Sequence, residues 1–154
     1  LWDKGEPKKA FEKAIKNSNK VAMSLSDLFC VERHKSSFLE LVKNNLDITF
    51  ANEQEIMSLI NTKKIEDVIE FSKSTKKLLV VTRGDKGAIA INDDVVVECN
   101  AKKDIKLVDL TGAGDLFASG FLHGHINGRS LKESLEKGTE MSSKIIQTIG
   151  ARLS

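Results

Sequence analysis

Residues 109–115, with the sequence DLTGAGD, combine residue types that can bind an anion and accept a proton. Gly112 and Gly114 allow the backbone to approach a ligand closely, because glycine has no side chain. A helix predicted to begin at Ala113 would direct its free amides and the positive end of its dipole at the same point. Asp115 lies in the first turn of that helix. This arrangement predicts phosphoryl transfer to an alcohol, in which the amides stabilise charge and the carboxylate accepts the hydroxyl proton.

A plainer interpretation of the same residues is a tight turn, with Asp115 as an ordinary acidic residue near a helix N-terminus. Two better-known phosphate-binding patterns are excluded by the sequence. The dinucleotide-binding pattern requires a third glycine at the position of Phe117. The P-loop pattern requires Gly-Lys-Ser or Gly-Lys-Thr, and the sequence contains neither tripeptide.

Asn52 and Glu55 form a second group with possible chemistry, at the predicted start of a helix that follows a strand. Their spacing places both side chains on the same side of that helix. An amide oxygen and a carboxylate are oxygen ligands of the kind that magnesium accepts, directly or through water. The alternative is a capping box, with Asn52 as N-cap and Glu55 at the third helical position. Both interpretations can hold together.

Alternating strands and helices must position these residues. The predicted helices cover residues 6–17, 32–45, 52–60, 65–74, 113–126 and 131–149, and the predicted strands cover residues 21–25, 47–51, 78–81, 87–91 and 95–99. Ser130 and Glu133 predict a capped start for the last helix. Leu1 and Trp2 indicate the end of a further strand. This order predicts an α/β fold with a mostly parallel sheet flanked by helices, and the turn at residues 92–94 adds an antiparallel hairpin.

Length and composition indicate one globular domain that does not bind polyanions. The chain has 154 residues, of which 40% are hydrophobic and 30% charged. Its net charge is only +2, from 24 basic and 22 acidic residues, which gives no electrostatic basis for binding nucleic acid or a membrane surface. Cys30 and Cys99 lack metal-ligand spacing and favour a reducing compartment, so we expect a cytoplasmic protein.

The segment DLTGAGDLFASGFLHG resembles the C-terminal signature of the PfkB carbohydrate kinases, the ribokinase family, whose usual form is D-T-x-G-A-G-D-x-F. It departs from that form at Leu110, where threonine is common. The resemblance implies the ribokinase-like three-layer fold and ATP-dependent phosphoryl transfer to a hydroxyl of a small sugar or nucleoside. It further implies that Asp115 is the catalytic base and that Gly112, Ala113 and Gly114 form the anion hole for the γ-phosphate.

The same resemblance extends to other motifs and implies ATP, magnesium and a monovalent cation such as potassium as ligands. The implied contacts are Asn52 and Glu55 for magnesium through water; Thr82, Gly84, Gly87, Thr139 and Ser143 for ATP; and Asp109 and Thr111 for the monovalent cation. Each group has a plainer alternative. The loop at residues 82–87 is also typical of a hairpin entry, and Thr139 and Ser143 also fit ordinary helix surface.

The matching motifs run in family order through residues 1–154, which therefore correspond to the C-terminal nucleotide-binding and catalytic portion of such a kinase. Complete members carry an N-terminal half that supplies the lid and most substrate contacts, and it is absent here. We expect residues to precede Leu1. Residues 1–3 and 23–30 look most like the adenosine-kinase-like branch, which makes adenosine one candidate acceptor.

Two other functions stay open beside catalysis. The chain could bind ATP or another anion without turnover, or it could be one chain of a split kinase. The intact Asp115 favours catalysis over binding alone. We expect the isolated chain to be nearly inactive, because the acceptor site is absent. We also expect it to aggregate, self-associate or pair with a missing N-terminal half, because a sheet cut in the middle exposes a strand edge and apolar faces.

Overall fold

The computed structural model describes residues 6–152, which form seven α-helices and five strands. The helices are α1 Pro7–Lys16, α2 Leu28–Arg33, α3 Lys35–Asn44, α4 Glu53–Ile60, α5 Ile65–Thr75, α6 Ala113–Ile126 and α7 Leu131–Ile145. The strands are β1 Ala22–Ser24, β2 Ile48–Asn52, β3 Leu78–Thr82, β4 Ala88–Asn92 and β5 Val95–Cys99. The strand expected at Leu1 and Trp2 lies outside the described residues.

The five strands form one sheet in the order β1-β2-β3-β4-β5. Strands β1 and β2 are parallel, with Ala22 opposite Ile48. The amide of Leu78 donates to the carbonyl of Asp47 at 3.1 Å, so β3 begins beside the start of β2. Only two residues join β4 to β5, a connection that requires antiparallel neighbours. The predicted α/β fold with a mostly parallel sheet and one hairpin is confirmed.

The chain divides into two compact units, and the boundary passes through strands β3, β4 and β5. The first unit contains residues up to Val80 together with Ile91–Val95. Its core includes four successive buried residues of β2, a pattern typical of a strand covered on both faces. Phe38, Ile56 and Val68 contribute buried side chains from α3, α4 and α5.

The second unit contains Val81–Ala90 and the residues from Val96 onward. Helices α6 and α7 pack closely there because small residues lie between them. A Cβ atom added to Gly120 would lie 2.8 Å from the carbonyl oxygen of Lys137, and one added to Gly138 would lie 2.8 Å from that of Phe117. Phe117 and Phe121 of α6 are buried. Within residues 6–152, no helix has the length and apolar character needed to cross a membrane.

Two predicted helices differ from the observed ones. The helix expected over residues 32–45 is divided at His34, and its first part starts earlier because the Asp27 carboxylate caps α2 by accepting the Cys30 amide at 2.8 Å. The last helix, expected to reach residue 149, ends at Ile145. The carbonyl of Ile146 instead accepts the amides of Val108 and Asp109, at 2.8 and 3.2 Å, so the chain leaves the helical path.

Candidate functional site

The glycine-rich turn adopts the geometry that its sequence predicts. Gly112 has φ 79°, in the left-handed region, and helix α6 begins at Ala113. The first amides of a helix have no acceptor within the helix. A Cβ atom added to Gly114 would meet no atom within 4 Å, so the space beside this residue is open. The amide of Ala113 is already engaged, because it donates to the carbonyl of Leu110 at 3.1 Å. The turn therefore offers the remaining amides of the first helical turn, the positive end of the α6 dipole and room for an anion.

Asp115 is the third residue of α6 and lies in the same helical turn as Gly114. Its side chain is exposed to solvent. The predicted placement of a carboxylate beside an open helix N-terminus is thus found in the structure. Chemically, this arrangement can hold a negatively charged group at the amides while the carboxylate accepts a proton from a neighbouring hydroxyl.

Asp109 precedes this turn and accepts three hydrogen bonds. Its Oδ1 atom accepts the amide of Thr111 at 2.9 Å and the hydroxyl of Thr111 at 2.8 Å, and its Oδ2 atom accepts the amide of Gly150 at 2.8 Å. These bonds, led by those from the Thr111 and Gly150 amides, hold the pKa of Asp109 below its usual value of 3.8. The structure thus brings together Asp109 and Thr111, the residues predicted to lie near a monovalent cation.

The predicted phosphate-contacting residues lie at the end of β3 and in the loop that follows. Thr82 ends the strand and is half-buried, whereas Gly84 is exposed. Gly87 is buried, and a Cβ atom at this position would lie 2.0 Å from the carbonyl oxygen of Cys99. The structure therefore requires glycine at position 87 for packing. Contact of Thr82, Gly84 and Gly87 with ATP stays a prediction.

Thr139 and Ser143 lie one turn apart on α7, and both are half-buried. The hydroxyl of Thr139 lies 3.1 Å from the sulfur of Cys99, at the end of β5. The hydroxyl of Ser143 donates to the carbonyl of Glu140 at 2.8 Å and keeps its acceptor capacity. Because Gly87 also packs against Cys99, the structure brings Gly87 and Thr139 to the same point of the second unit.

Asn52 and Glu55 form a complete capping box in the first unit. Asn52 Oδ1 accepts the Glu55 amide, and Glu55 Oε2 accepts the Asn52 amide, both at 2.8 Å. A third bond, from Asn52 Nδ2 to Glu55 Oε1, also measures 2.8 Å. The capping interpretation is confirmed. Each carboxylate oxygen still has a free lone pair, so the pair fits magnesium bound through water, which stays a prediction.

Glu55 is buried although it carries a carboxylate, with 5% of its surface exposed. Burial raises the pKa of Glu55 above its usual value of 4.5, the Asn52 amide opposes this rise, and the negative charge of Asp27 adds to it. Asp27 was not among the residues predicted to belong to a site. The signal that could have placed Asp27 near Glu55 was the strand topology. Asp27 follows β1 and Glu55 follows β2, and the carboxyl ends of parallel neighbouring strands lie at the same edge of a sheet.

The candidate residues are divided between the two units. The first unit holds Asn52 and Glu55, and the second holds Thr82, Gly84, Gly87, Asp109, Thr111, Gly112, Ala113, Gly114, Asp115, Thr139 and Ser143. Among residues 6–152, no group of three or more His, Cys, Asp or Glu side chains could hold a metal ion.

Comparison with known proteins adds independent information. The family described as "pfkB family carbohydrate kinase" matches residues 5–154. The cytidine kinase of Thermococcus kodakarensis is 32% identical over 119 residues, which cover 75% of this chain and 42% of that protein. The crystal structure of adenosine kinase from Sinorhizobium meliloti aligns with a TM-score of 0.94 at 38% identity, covering 99% of this chain and 48% of the other.

A probable sugar kinase from Rhizobium etli CFN 42 gives a TM-score of 0.93 at 38% identity, with the same coverage of both chains. The chain thus spans about half the length of the relatives it matches. These matches agree with the ribokinase-like fold that the glycine-rich signature implied. The family match over residues 5–154 and the intact signature at residues 109–115 together show that the chain belongs to the PfkB family of carbohydrate kinases.

Proposed function

We propose that the protein containing this chain transfers the γ-phosphoryl group of ATP to a hydroxyl of a small sugar or nucleoside, with adenosine among the candidate acceptors. The observation that carries this proposal is the open, glycine-rich N-terminus of α6 with Asp115 in the same turn. Relatives named cytidine kinase and adenosine kinase support the acceptor class. The alternatives are an ATP-binding chain without catalysis and one chain of a split kinase.

In the proposed reaction, the backbone of Gly112, Ala113 and Gly114 forms the anion hole that stabilises the negative charge developing on the transferring group. The Ala113 amide, which donates to the Leu110 carbonyl, would share its hydrogen with the anion. Asp115 accepts the proton of the acceptor hydroxyl as that oxygen forms its bond to the γ-phosphorus. The bond between the γ-phosphorus and the leaving oxygen of ADP breaks in the same step. Asp115 is suited to this role because it lies in the same helical turn as Gly114 and is exposed.

The nucleotide would be bound by residues at the end of β3, in the loop that follows and in α7, namely Thr82, Gly84, Gly87, Thr139 and Ser143. Asn52 and Glu55 would hold magnesium through water, and magnesium would supply positive charge beside the phosphates. Asp109 and Thr111 would serve a monovalent cation such as potassium. The carboxylate of Asp109 already accepts hydrogen bonds from Thr111 and Gly150, so a cation there would share the carboxylate with those donors.

Residues 1–154 would provide the nucleotide-binding and catalytic part of the kinase. The lid and most contacts to the acceptor would come from the portion of the relatives that this chain does not cover. We further propose a cytoplasmic location, since Cys30 and Cys99 are both described and form no disulfide with each other.

The experiment is a phosphoryl-transfer assay on the full-length gene product with ATP and magnesium, against adenosine, other nucleosides, ribose and fructose. We expect transfer to one of these acceptors. Asp115→Asn should lower kcat by roughly 10²- to 10⁴-fold and leave the Kd for ATP nearly unchanged, because proton acceptance matters in the transition state. Asp104→Asn, which makes the same charge change outside the site, should have no effect.

Turnover close to that of the unmodified protein in Asp115→Asn would remove Asp115 from the catalytic role. ATP binding without transfer to any acceptor would instead favour the binding function. Activity that appears only after addition of a second polypeptide would favour the split kinase.

A further inference from the structure

Asp109 connects two segments that are distant in sequence. Through Oδ1 it holds Thr111, two residues away, and through Oδ2 it holds the amide of Gly150, which is 41 residues away. Helices α6 and α7 lie between these two points in the chain. One carboxylate therefore joins the residues before α6 to the residues after α7.

Other contacts join the same two segments, the residues before α6 and the residues after α7. The carbonyl of Ile146 accepts the amides of Val108 and Asp109, and Ala151 lies directly against Gly112. A Cβ atom added to Gly112 would lie 2.9 Å from the Cβ atom of Ala151. The segment at residues 146–152, called here the return segment, thus lies against the glycine-rich turn.

The apolar side chains of the return segment are only partly packed, since Ile146 is half-buried and Ala151 is exposed apart from its contact with Gly112. Ile149 is 86% exposed, and on the opposite side Val108 and Leu110 are 45% and 64% exposed. Hydrogen bonds therefore carry a large share of the attachment. Bonds to a charged acceptor are the stronger ones, which makes the Asp109 carboxylate the principal contact.

We propose that Asp109 is a positioning residue, whose hydrogen bonds to Thr111 and Gly150 hold the return segment against Gly112 and so fix the shape of the turn that binds the transferring phosphoryl group. The second half of this statement rests on the function proposed above. Asp109 acts through the turn and does not itself contact the reacting atoms.

The first test is hydrogen–deuterium exchange of the full-length gene product, followed in peptides that cover residues 146–152. Asp109→Asn keeps one acceptor oxygen and replaces the other with an amide donor, so it cannot accept the bonds from both Thr111 and Gly150, and the connection between the two segments is broken on one side. We expect roughly tenfold to hundredfold faster exchange in the return segment, with unchanged exchange in peptides from the centres of α6 and α7. Asp104→Asn, in the same loop, should leave exchange unchanged at all these sites.

Thr111 offers a matched pair of variants. Thr111→Val removes the hydroxyl that donates to Asp109 but keeps the side-chain shape, and should raise exchange in the return segment by a smaller factor. Thr111→Ser keeps the hydroxyl and should restore protection. If Val and Ser variants exchange alike, the Asp109–Thr111 contact does not contribute and the proposed connection is overturned.

The second test measures kcat and the KM for ATP separately in the full-length gene product. A displaced turn should stabilise the transition state less, so Asp109→Asn should lower kcat by about tenfold or more while KM for ATP changes much less. Unchanged exchange in Asp109→Asn overturns the proposal, and so does faster exchange with unchanged kcat. If the unmodified protein transfers no phosphoryl group but Asp109→Asn still frees the return segment, the proposed function fails while the role of Asp109 in holding the segment stands.

Discussion

Gly112 and Gly114 are separated by one residue, yet the structure requires glycine at only one of them. Gly112 has positive φ and contacts Ala151, so a side chain there would be strained and crowded. Gly114 has helical geometry and faces open space. The absence of a side chain at Gly114 therefore has no packing reason in the described residues, and the proposed anion site would account for it.

We predict opposite effects of alanine at these two positions. Gly112→Ala should lower the free energy of unfolding by at least about 1–2 kcal/mol, the cost of left-handed geometry. Gly114→Ala should leave it unchanged or raise it by up to about 1 kcal/mol, because alanine favours helices. It should nevertheless abolish most phosphoryl transfer, since its methyl group enters the proposed anion site. Urea unfolding and kinase assays measure both effects, and full activity of Gly114→Ala would place the anion elsewhere.

Glu55 predicts a specific pH dependence of stability. Because burial raises its pKa in the folded state above 4.5, folding favours the protonated form. The stabilising contribution of this group is present below pH 4.5 and is lost as pH rises through the raised pKa of the folded state. Relative to Glu55→Gln, the unmodified chain should therefore become less stable as pH rises from 4.5 towards neutrality.

Urea unfolding over that pH range measures this difference in free energy of unfolding. The control is Glu66→Gln, which makes the same chemical change at an exposed residue in the first turn of α5. A difference between the unmodified chain and Glu55→Gln that does not vary with pH would show that folding does not raise the pKa of Glu55.

At the scale of elements, α6 and α7 depend on their glycines for their close approach. Gly138 is buried, and an added Cβ atom would lie 2.8 Å from the carbonyl oxygen of Phe117, a backbone atom that cannot move freely. We predict that Gly138→Ala lowers the free energy of unfolding by roughly 1–3 kcal/mol through overpacking. This loss should outweigh the gain of about 1 kcal/mol from alanine's helix propensity.

The control for this substitution is Gly114→Ala, also within α6 or α7 but facing open space. Urea unfolding compares the two variants. A Gly138→Ala variant as stable as the unmodified chain would mean that the two helices can separate without cost.

At the scale of the whole molecule, the chain covers about half of its structural relatives, 48% in the two examples given. Strand β1 lies at one end of the sheet of described strands. Large apolar side chains are exposed in both units, among them Phe29 at 74% and Ile126 at 76%. Exposed apolar surface of this kind is typical of interfaces or of surfaces that associate.

We predict that the isolated 154-residue chain associates with itself or with a polypeptide equivalent to the portion of its relatives that it does not cover, binds hydrophobic dyes and turns over little ATP. Sedimentation at several protein concentrations measures association. Phe29→Gln, in the helix that follows β1 along the chain, should weaken it more than Ile126→Gln, at the end of α6. A stable monomer without dye binding would contradict the prediction.

Local sequence patterns were sufficient to predict most elements and the centre of the candidate site. The capping boxes at Asn52 and Ser130 and the start of α6 at Ala113 were predicted correctly. These features depend on contacts between residues that are at most four positions apart, so their determinants are visible in the sequence itself. The signature at residues 109–115 added the family for the same reason, because its residues are contiguous.

The tertiary structure alone decided the features that depend on distant contacts. Helix α7 ends at Ile145 because Val108 and Asp109 bind the carbonyl of Ile146, and Asp109 reaches Gly150 across 41 residues. The burial of Glu55 and the packing that demands glycine at position 87 also arise from segments far apart in sequence. Such contacts exist only once the chain has folded, since no local pattern specifies which distant atom will occupy the neighbouring space.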